Sequence, residues 1–250
     1  MNQYDILQEI PRLGKRAEIL ASWYLRFNGY FPLKDFILHD AGEKIQPGGQ
    51  LTDADLLAVR FPYTIEIIKG ENEDITVKTH DKLDIHQGNL DFVIAEVSSE
   101  ACKFNWLVRQ ENEEYKLVQV EFLKYVMRRF GWWQDDGKIN QISDSLSKEK
   151  FYSEEQRVDA NETIVTRVRL LSFGVAPTPE LPIQQIIFAE MLDYMKCDLF
   201  ACYGQTDEFK KIVSDHKQWD TLIHEIYKRL LGHKRPRQSP EEVVKWLFPD

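Results

Sequence analysis

Two segments of this chain carry apolar side chains at neighbouring as well as alternate positions. No fold that leaves a sheet face open to water accommodates them. Leu90 to Ser99 (LDFVIAEVSS) and Leu51 to Phe61 (LTDADLLAVRF, ended by Pro62) both read as strands. Successive strand residues point to opposite faces, so strands apolar on both faces need cover on both sides. The segments between them supply it. A helix is predicted from Arg12 to Asn28, where Leu13, Ala17, Leu20, Ala21 and Tyr24 recur at helical spacing and Gly29 provides the stop.

The rest of the chain divides on the same signals. Tyr30 to His39 reads as a strand, and Asp40 to Gln50 as turns around Pro47-Gly48-Gly49. Tyr63 to Gly88 holds two β-rich pieces, TIEII and ITVKT, and reads as a hairpin insertion. A long helical region is expected from Asn105 to Phe130, then a polar loop with a short helix from Lys138 to Asn161. Glu162 to Phe173 reads as a strand. A Pro-rich connection leads to a helix from Ile183 to Lys196, followed by helices at Asp207 to Leu231 and Pro240 to Leu247. Strands interleaved with helices predict an α/β fold with a mixed central sheet flanked by helices. Residues 1–202 form the expected core, with the hairpin insertion near 63–89, and 203–250 a helical extension packed on it.

Charge and composition narrow the function. Hydrophobic residues make up 43% and charged residues 29% of the 250, values of a folded globular chain rather than a disordered one. The formal net charge of −9 opposes non-specific attachment to nucleic acid, so any such contact needs a local basic surface. Met1 to Ile10 show no basic start followed by an apolar stretch, and no run is long enough to cross a bilayer. A cytoplasmic protein without membrane partners is the expectation. Cys102, Cys197 and Cys202 have no metal-ligand spacing and are expected to be reduced thiols. No phosphate-cradling G-x-x-x-x-G-K-[ST] loop, G-x-G-x-x-G turn, G-x-S-x-G elbow or H-E-x-x-H pair occurs.

Three acidic sites, one of them a pair, stand in apolar settings. Glu18 borders the inward face of the first helix, Asp53 and Asp55 interrupt the Leu51 strand, and Glu96 lies within Phe92 to Val97. An ionised carboxylate in such a strand is costly unless a cation or hydrogen-bond donors offset it. Carboxylates converging from neighbouring strands suit a hard divalent cation, which takes oxygen ligands and polarises a phosphodiester.

At these residues the chain resembles the PD-(D/E)XK nuclease superfamily, particularly its restriction-endonuclease-like and Holliday-junction-resolvase-like members. Gly14-Lys15-Arg16-Ala17-Glu18 is similar to the family's opening G-x-x-x-E helix, Thr52-Asp53-Ala54-Asp55 to its acidic strand, and Phe92 to Ser99 to its (D/E)-x-K strand. The resemblance spans Leu13 to Lys196 and implies a restriction-endonuclease-like core. It implies Asp55 and Glu96 as ligands of Mg2+ or Mn2+, with Glu18 on the metal or its water. The partner it implies is nucleic acid, DNA first, with a protein partner or a second copy as further partners. The proline of the acidic motif is replaced by Ala54. The motif lysine falls at Ser98, a hydroxyl without charge. Lys103, Arg109 and Lys116 are the candidates to supply the missing cation, and Gln119 resembles a glutamine that faces the site in some relatives. The implied activity is metal-dependent phosphodiester hydrolysis. The alternative is a catalytically inactive nuclease-fold subunit that binds nucleic acid or a protein.

Two basic surfaces complete the reading. Lys116, Lys124, Arg128 and Arg129 form a candidate helix face beside Tyr125, Phe130, Trp132 and Trp133, aromatics expected to pack in the core. Lys228 to Arg237 is the most basic stretch, either a phosphate contact or a solvated loop. His80 and His86 read as surface residues of the insertion.

Overall fold

The computed structural model describes residues 12–39, 50–68, 74–105, 107–109, 115–117, 120–157, 163–203, 219–231 and 237–249. The chain opens with α1 (Leu13–Phe27), which buries Ala17, Leu20, Ala21, Tyr24 and Leu25 along one face. Its end follows from Gly29, whose φ of 82° is left-handed and closes the last turn through Gly29 N–H to Arg26 O at 2.9 Å. A Cβ at Gly29 would also meet Thr64 Cγ2 at 3.0 Å, so the position is restricted twice.

Next come β1 (Phe31–His39), β2 (Gln50–Arg60), the small hairpin β3 (Glu66–Ile68) and β4 (Ile75–Val77), a 3-10 turn at Asp81–Leu83, and β5 (Asn89–Val97). A second small hairpin, β6 (Leu107–Arg109) and β7 (Tyr115–Leu117), precedes α2 (Val120–Phe130) and α3 (Asp136–Glu149). Then follow β8 (Phe151–Arg157), β9 (Thr163–Gly174), β10 (Gln184–Ile187) and α4 (Phe188–Tyr194). The α4 helix runs on through a π turn (Met195–Leu199) into Phe200–Tyr203, and α5 (Thr221–Leu231) and α6 (Pro240–Leu247) close the fold.

Six strands form one mixed sheet in the order β1-β2-β5-β9-β10, with β8 also on β9. The β1, β2 and β5 strands form an antiparallel meander, and β9 returns parallel to β5. The long β9 shares its outer edge, pairing β8 along Thr163 to Arg169 and β10 along Leu171 to Gly174. Alternation divides the core as the two-sided strands require. Leu56, Ala58, Val93, Ala95 and Leu171 face α1, α4, α5 and α6, whereas Leu57, Phe92, Ile94, Val168 and Leu170 face α2 and α3. Nine consecutive residues of β5 are buried. At about 25 cal/mol per Å2, each fully covered Val or Ile of this strand contributes roughly 2 kcal/mol.

The α/β sheet flanked by helices is the architecture read from the sequence, and α1, β1, β2, β5, β9 and α6 lie within a residue or two of their expected ends. Pro240 and the Ser239–Glu242 capping box make the start of α6 legible. Three elements differ. The helix expected over Asn105 to Phe130 is the β6–β7 hairpin followed by a helix that begins only at Val120. Glu-rich sequence favours helix by local propensity, but pairing of Leu107 with Leu117 decides otherwise. The helix expected from Ile183 begins at Phe188, because Gln184 to Ile187 first pair with β9. The polar stretch from Lys138 holds most of a 14-residue helix and a strand. That strand, β8, is an edge strand with Tyr152 buried and most neighbours exposed, so its polar sequence hides it. The first part of the helix expected from Asp207 lies outside the described residues. Among the described residues, no helix is long and apolar enough to cross a membrane. The α5 and α6 helices bury Ile223, Ile226, Leu230, Val243 and Leu247 in the same cluster as α1.

Candidate active site at the fork of β2 and β5

The ladder between β2 and β5 runs from Arg60↔Asp91 to Leu56↔Ala95. Asp55 on β2 and Glu96 on β5 are the residues that follow the last pair of this ladder. The ladder stops there for a visible reason. Ser98 N–H donates to Phe173 O on β9 at 2.9 Å, so the N–H of Val97 turns the other way, towards β2. A continued ladder would give it the carbonyl of Ala54. It donates instead to Asp55 Oδ2 at 2.7 Å. The two strands therefore fork at this point, and the Asp55 carboxylate sits in the fork against the Glu96–Val97 peptide. Asp55 is half-buried.

Glu96 is 2% exposed and lies on the α2–α3 face of the sheet. Asn105 Nδ2 donates to its Oε2 at 2.9 Å and orients the carboxylate. On its other flank stands the buried Ser172, its register partner on β9, whose hydroxyl donates to Lys103 O at 2.6 Å. The segment that carries Asn105 is stitched to the end of β9. Val175 N–H donates to Glu100 O at 2.6 Å, Cys102 N–H to Ala176 O at 2.8 Å, and Thr178 Oγ1 to Cys102 O. Two main chains cross so closely here that a Cβ at Gly174 would meet Cys102 N at 2.6 Å and Glu100 O at 2.8 Å. Neither Asn105 nor Gly174 stood out in the sequence. A lone Asn and a glycine at a strand end have many ordinary uses, and their roles depend on which chains cross.

Ionised carboxylates brought together from neighbouring strands repel each other. A hard divalent cation reverses that sign, and Mg2+ is typically held by one or two carboxylates plus waters. The donor set at the fork, Asp55 with Glu96, fits such an ion in ligand chemistry. Among the described residues, no group of three or more His, Cys, Asp or Glu side chains is placed to hold a metal. Glu18 belongs to α1, on the opposite layer from Glu96, and Lys15 Nζ pairs with it at 2.8 Å. The Cys102 thiol is buried beside Ser172 O, and burial raises its pKa, which opposes the thiolate form a metal ligand needs.

The remaining expected residues separate. Ser98 is 3% exposed, and its Oγ accepts from Glu100 N–H at 3.1 Å, a local turn contact rather than a charge beside the carboxylates. Lys103 is exposed. Arg109 and Lys116 sit on the β6–β7 hairpin, opposite Tyr115 and Val108, with side chains outside the described residues. Gln119 and the side chain of Asp53 also lie outside them. On α2, Lys124 pairs with Glu121 at 2.6 Å and Arg128 with Asp136 at 2.9 Å. Phe130 and Trp133 pack on Phe92, with ring centroids 4.8 and 5.0 Å away, while Tyr125 and Trp132 remain exposed. His80 is half-buried rather than fully at the surface: its Nδ1 lies 2.6 Å from the Tyr24 hydroxyl and its ring stacks on Tyr194.

A second charge centre, at the opposite end of β5, is absent from the sequence reading. Asp91 is 1% exposed. Its carboxylate accepts from Arg169 Nε at 3.1 Å, Arg169 Nη2 at 2.5 Å, Arg167 Nη2 at 3.1 Å and Tyr30 OH at 2.5 Å. Burial and the neighbouring Asp91 push the Tyr30 phenol far above its ordinary pKa, so it stays a neutral donor. The signal was available as polar residues inside apolar strands, Asp91 in β5 and Arg167 and Arg169 in β9. Their mutual contact depends on the parallel register Asp91↔Arg167.

No protein-family model, curated protein or solved structure matches the chain.

Proposed function

We propose that this protein is a metal-dependent nuclease of the restriction-endonuclease-like type, hydrolysing phosphodiester bonds in nucleic acid at the fork of β2 and β5. The observation that carries the reading is the juxtaposition of Asp55 and Glu96 on neighbouring strands, where the ladder opens. The order of elements supports it: a helix with Glu18, the strand of Asp55, the neighbouring strand of Glu96, then the later strand β9 and α4, in the sequence the resemblance implies. Asp55 and Glu96 would hold Mg2+ or Mn2+, which supplies a polarised phosphoryl oxygen and an acidified water when bound. The chain's own contribution is orientation. Val97 N–H fixes one carboxylate and Asn105 the other, and the crossing at Gly174 packs against the Glu100–Cys102 segment that leads to Asn105. Fixed donors of this kind lose little on binding.

Ser98 favours a second reading. Its hydroxyl is engaged by the main chain, and the position holds no positive charge. If no cation reaches the site from Lys103 or the β6–β7 hairpin, the fork binds metal and phosphate without cleaving. One experiment separates the two. The full chain is incubated with single- and double-stranded DNA and with RNA, in Mg2+ and in Mn2+, while calorimetry follows Mn2+ binding. Cleavage lost in Asp55→Asn and Glu96→Gln supports the nuclease. Mn2+ binding lost in both variants, without cleavage by the parent, supports the inactive subunit. Absence of Mn2+ binding by the parent overturns both.

A further inference from the structure

The β3–β4 insertion and the end of β2 line a partly open pocket of about 310 Å3. Its polar lining is Arg60, Thr76, Lys78, Thr79 and Gln87, and no aspartate or glutamate among the described residues lines it. Arg60 is 1% exposed, yet neutral groups alone receive its hydrogen bonds. Nε donates to Asn28 O at 3.2 Å and Nη2 to Thr64 O at 2.5 Å, while Nη1 is buried with no hydrogen-bond partner among the described residues. The residue opposite Arg60 in the ladder is Asp91, but Arg167, Arg169 and Tyr30 take up that carboxylate. Arg60, Arg167 and Arg169 are all buried, and of these Arg167 and Arg169 pair with Asp91. Asp84 lies 3.5 Å from Arg167 but is largely exposed to water. Burial lowers the pKa of the Arg60 guanidinium, and the charge of Asp91 offsets this only in part.

We propose that this cavity binds the anionic end of a small organic molecule, a phosphate ester or a carboxylate, with Arg60 supplying the buried positive charge and Lys78, which pairs with Asp81 at 2.9 Å, standing at the mouth. The hydroxyls of Thr76 and Thr79 and the amide of Gln87 add neutral donors suited to oxyanion oxygens. Ile65 and Ile85 supply apolar wall for the body of the molecule. The volume is at the small end of organic-ligand pockets. Asp91 and Glu96 are five residues apart on one strand, about 16 Å, so this site is separate from the carboxylate fork and stands without it.

The test uses the full chain in EDTA, with inorganic phosphate and citrate as probes, against chloride at matched ionic strength. Calorimetry and thermal unfolding are the readouts. Saturable binding with a raised Tm is expected. Lys78→Glu weakens it roughly tenfold or more, and Arg60→Met abolishes it. Because Arg60→Met also removes hydrogen bonds to Asn28 and Thr64, Lys78→Glu and the Thr76→Val/Thr79→Val double variant carry the test if it does not fold. A stronger response to phosphate assigns a phosphate ester, and a stronger response to citrate a carboxylate. No saturable binding of either probe overturns the site, as does binding that Lys78→Glu and the double-threonine variant leave unchanged.

Discussion

Replacing Asp91 with asparagine keeps the shape of the β5 side chain and removes its charge, leaving Arg167 and Arg169 buried beside a neutral amide. Four hydrogen bonds end on this carboxylate, two of them from Arg169 in fork geometry, and both arginine side chains are 6% exposed. Breaking a buried pair by removing one partner costs about 3–5 kcal/mol, because the remaining charge is stranded. Against a total stability of about 5–15 kcal/mol, that is a large fraction. For a chain of this length each kcal/mol moves Tm by roughly 2–4 °C, so Asp91→Asn is expected to lower Tm by roughly 6–20 °C. Calorimetric or circular-dichroism melts read the shift, and urea midpoints check it independently. The double variant Asp91→Asn/Arg169→Met discriminates the cause, since it removes a stranded cation and fills its place with an apolar chain. It is expected to recover part of the loss. A Tm within about 3 °C of the parent for Asp91→Asn, or a double variant as unstable as the sum of its single changes, refutes the charge argument.

Further outcomes follow from the same geometry. Gly174→Ala forces a Cβ into the main chain of Glu100 to Cys102, and a loss of about 1–3 kcal/mol is expected in urea unfolding, together with weaker Mn2+ binding as Asn105 shifts. Unchanged stability contradicts the close crossing. Asp55→Asn keeps an acceptor for Val97 N–H and removes a like charge beside Glu96, so in EDTA it is expected to stabilise by about 1 kcal/mol, a gain that saturating Mn2+ cancels or reverses. Destabilisation in EDTA argues against carboxylate repulsion at the fork. Burial holds the His80 pKa below the ordinary imidazole value, outweighing Glu190, Asp198 and Asp81, which pull it up. The unfolded chain therefore binds this proton more readily. Stability is full above about pH 6.5 and falls as the pH drops below it. His80→Gln is expected to flatten that acid limb in urea midpoints measured across pH, and an unaltered slope assigns the limb to other groups.

Periodicity and punctuation in the sequence determined the layers of this protein. Strands apolar on both faces demanded cover on both sides, and the α1, β2, β5, β9 and α6 segments announced themselves through spacing, Gly29, Pro62 and Pro240. The acidic pair was legible for the same reason: a carboxylate inside an apolar strand has an energetic cost that invites an explanation. Short or polar elements escaped. The β6–β7 hairpin, β10 and the edge strand β8 owe their form to pairing with partners distant along the chain, and local propensity carries no record of such a partner. Register is the clearest case. Alternation along β2 and β5 puts each carboxylate on a face, but only the pairing that ends at Leu56↔Ala95 brings Asp55 and Glu96 to the same end of the β2–β5 ladder. Only the parallel pairing Asp91↔Arg167 gathers the buried arginines around a single acid. Charge interactions act at a few ångströms between residues far apart in sequence, so the tertiary fold decides which carboxylates meet each other and which meet a cation.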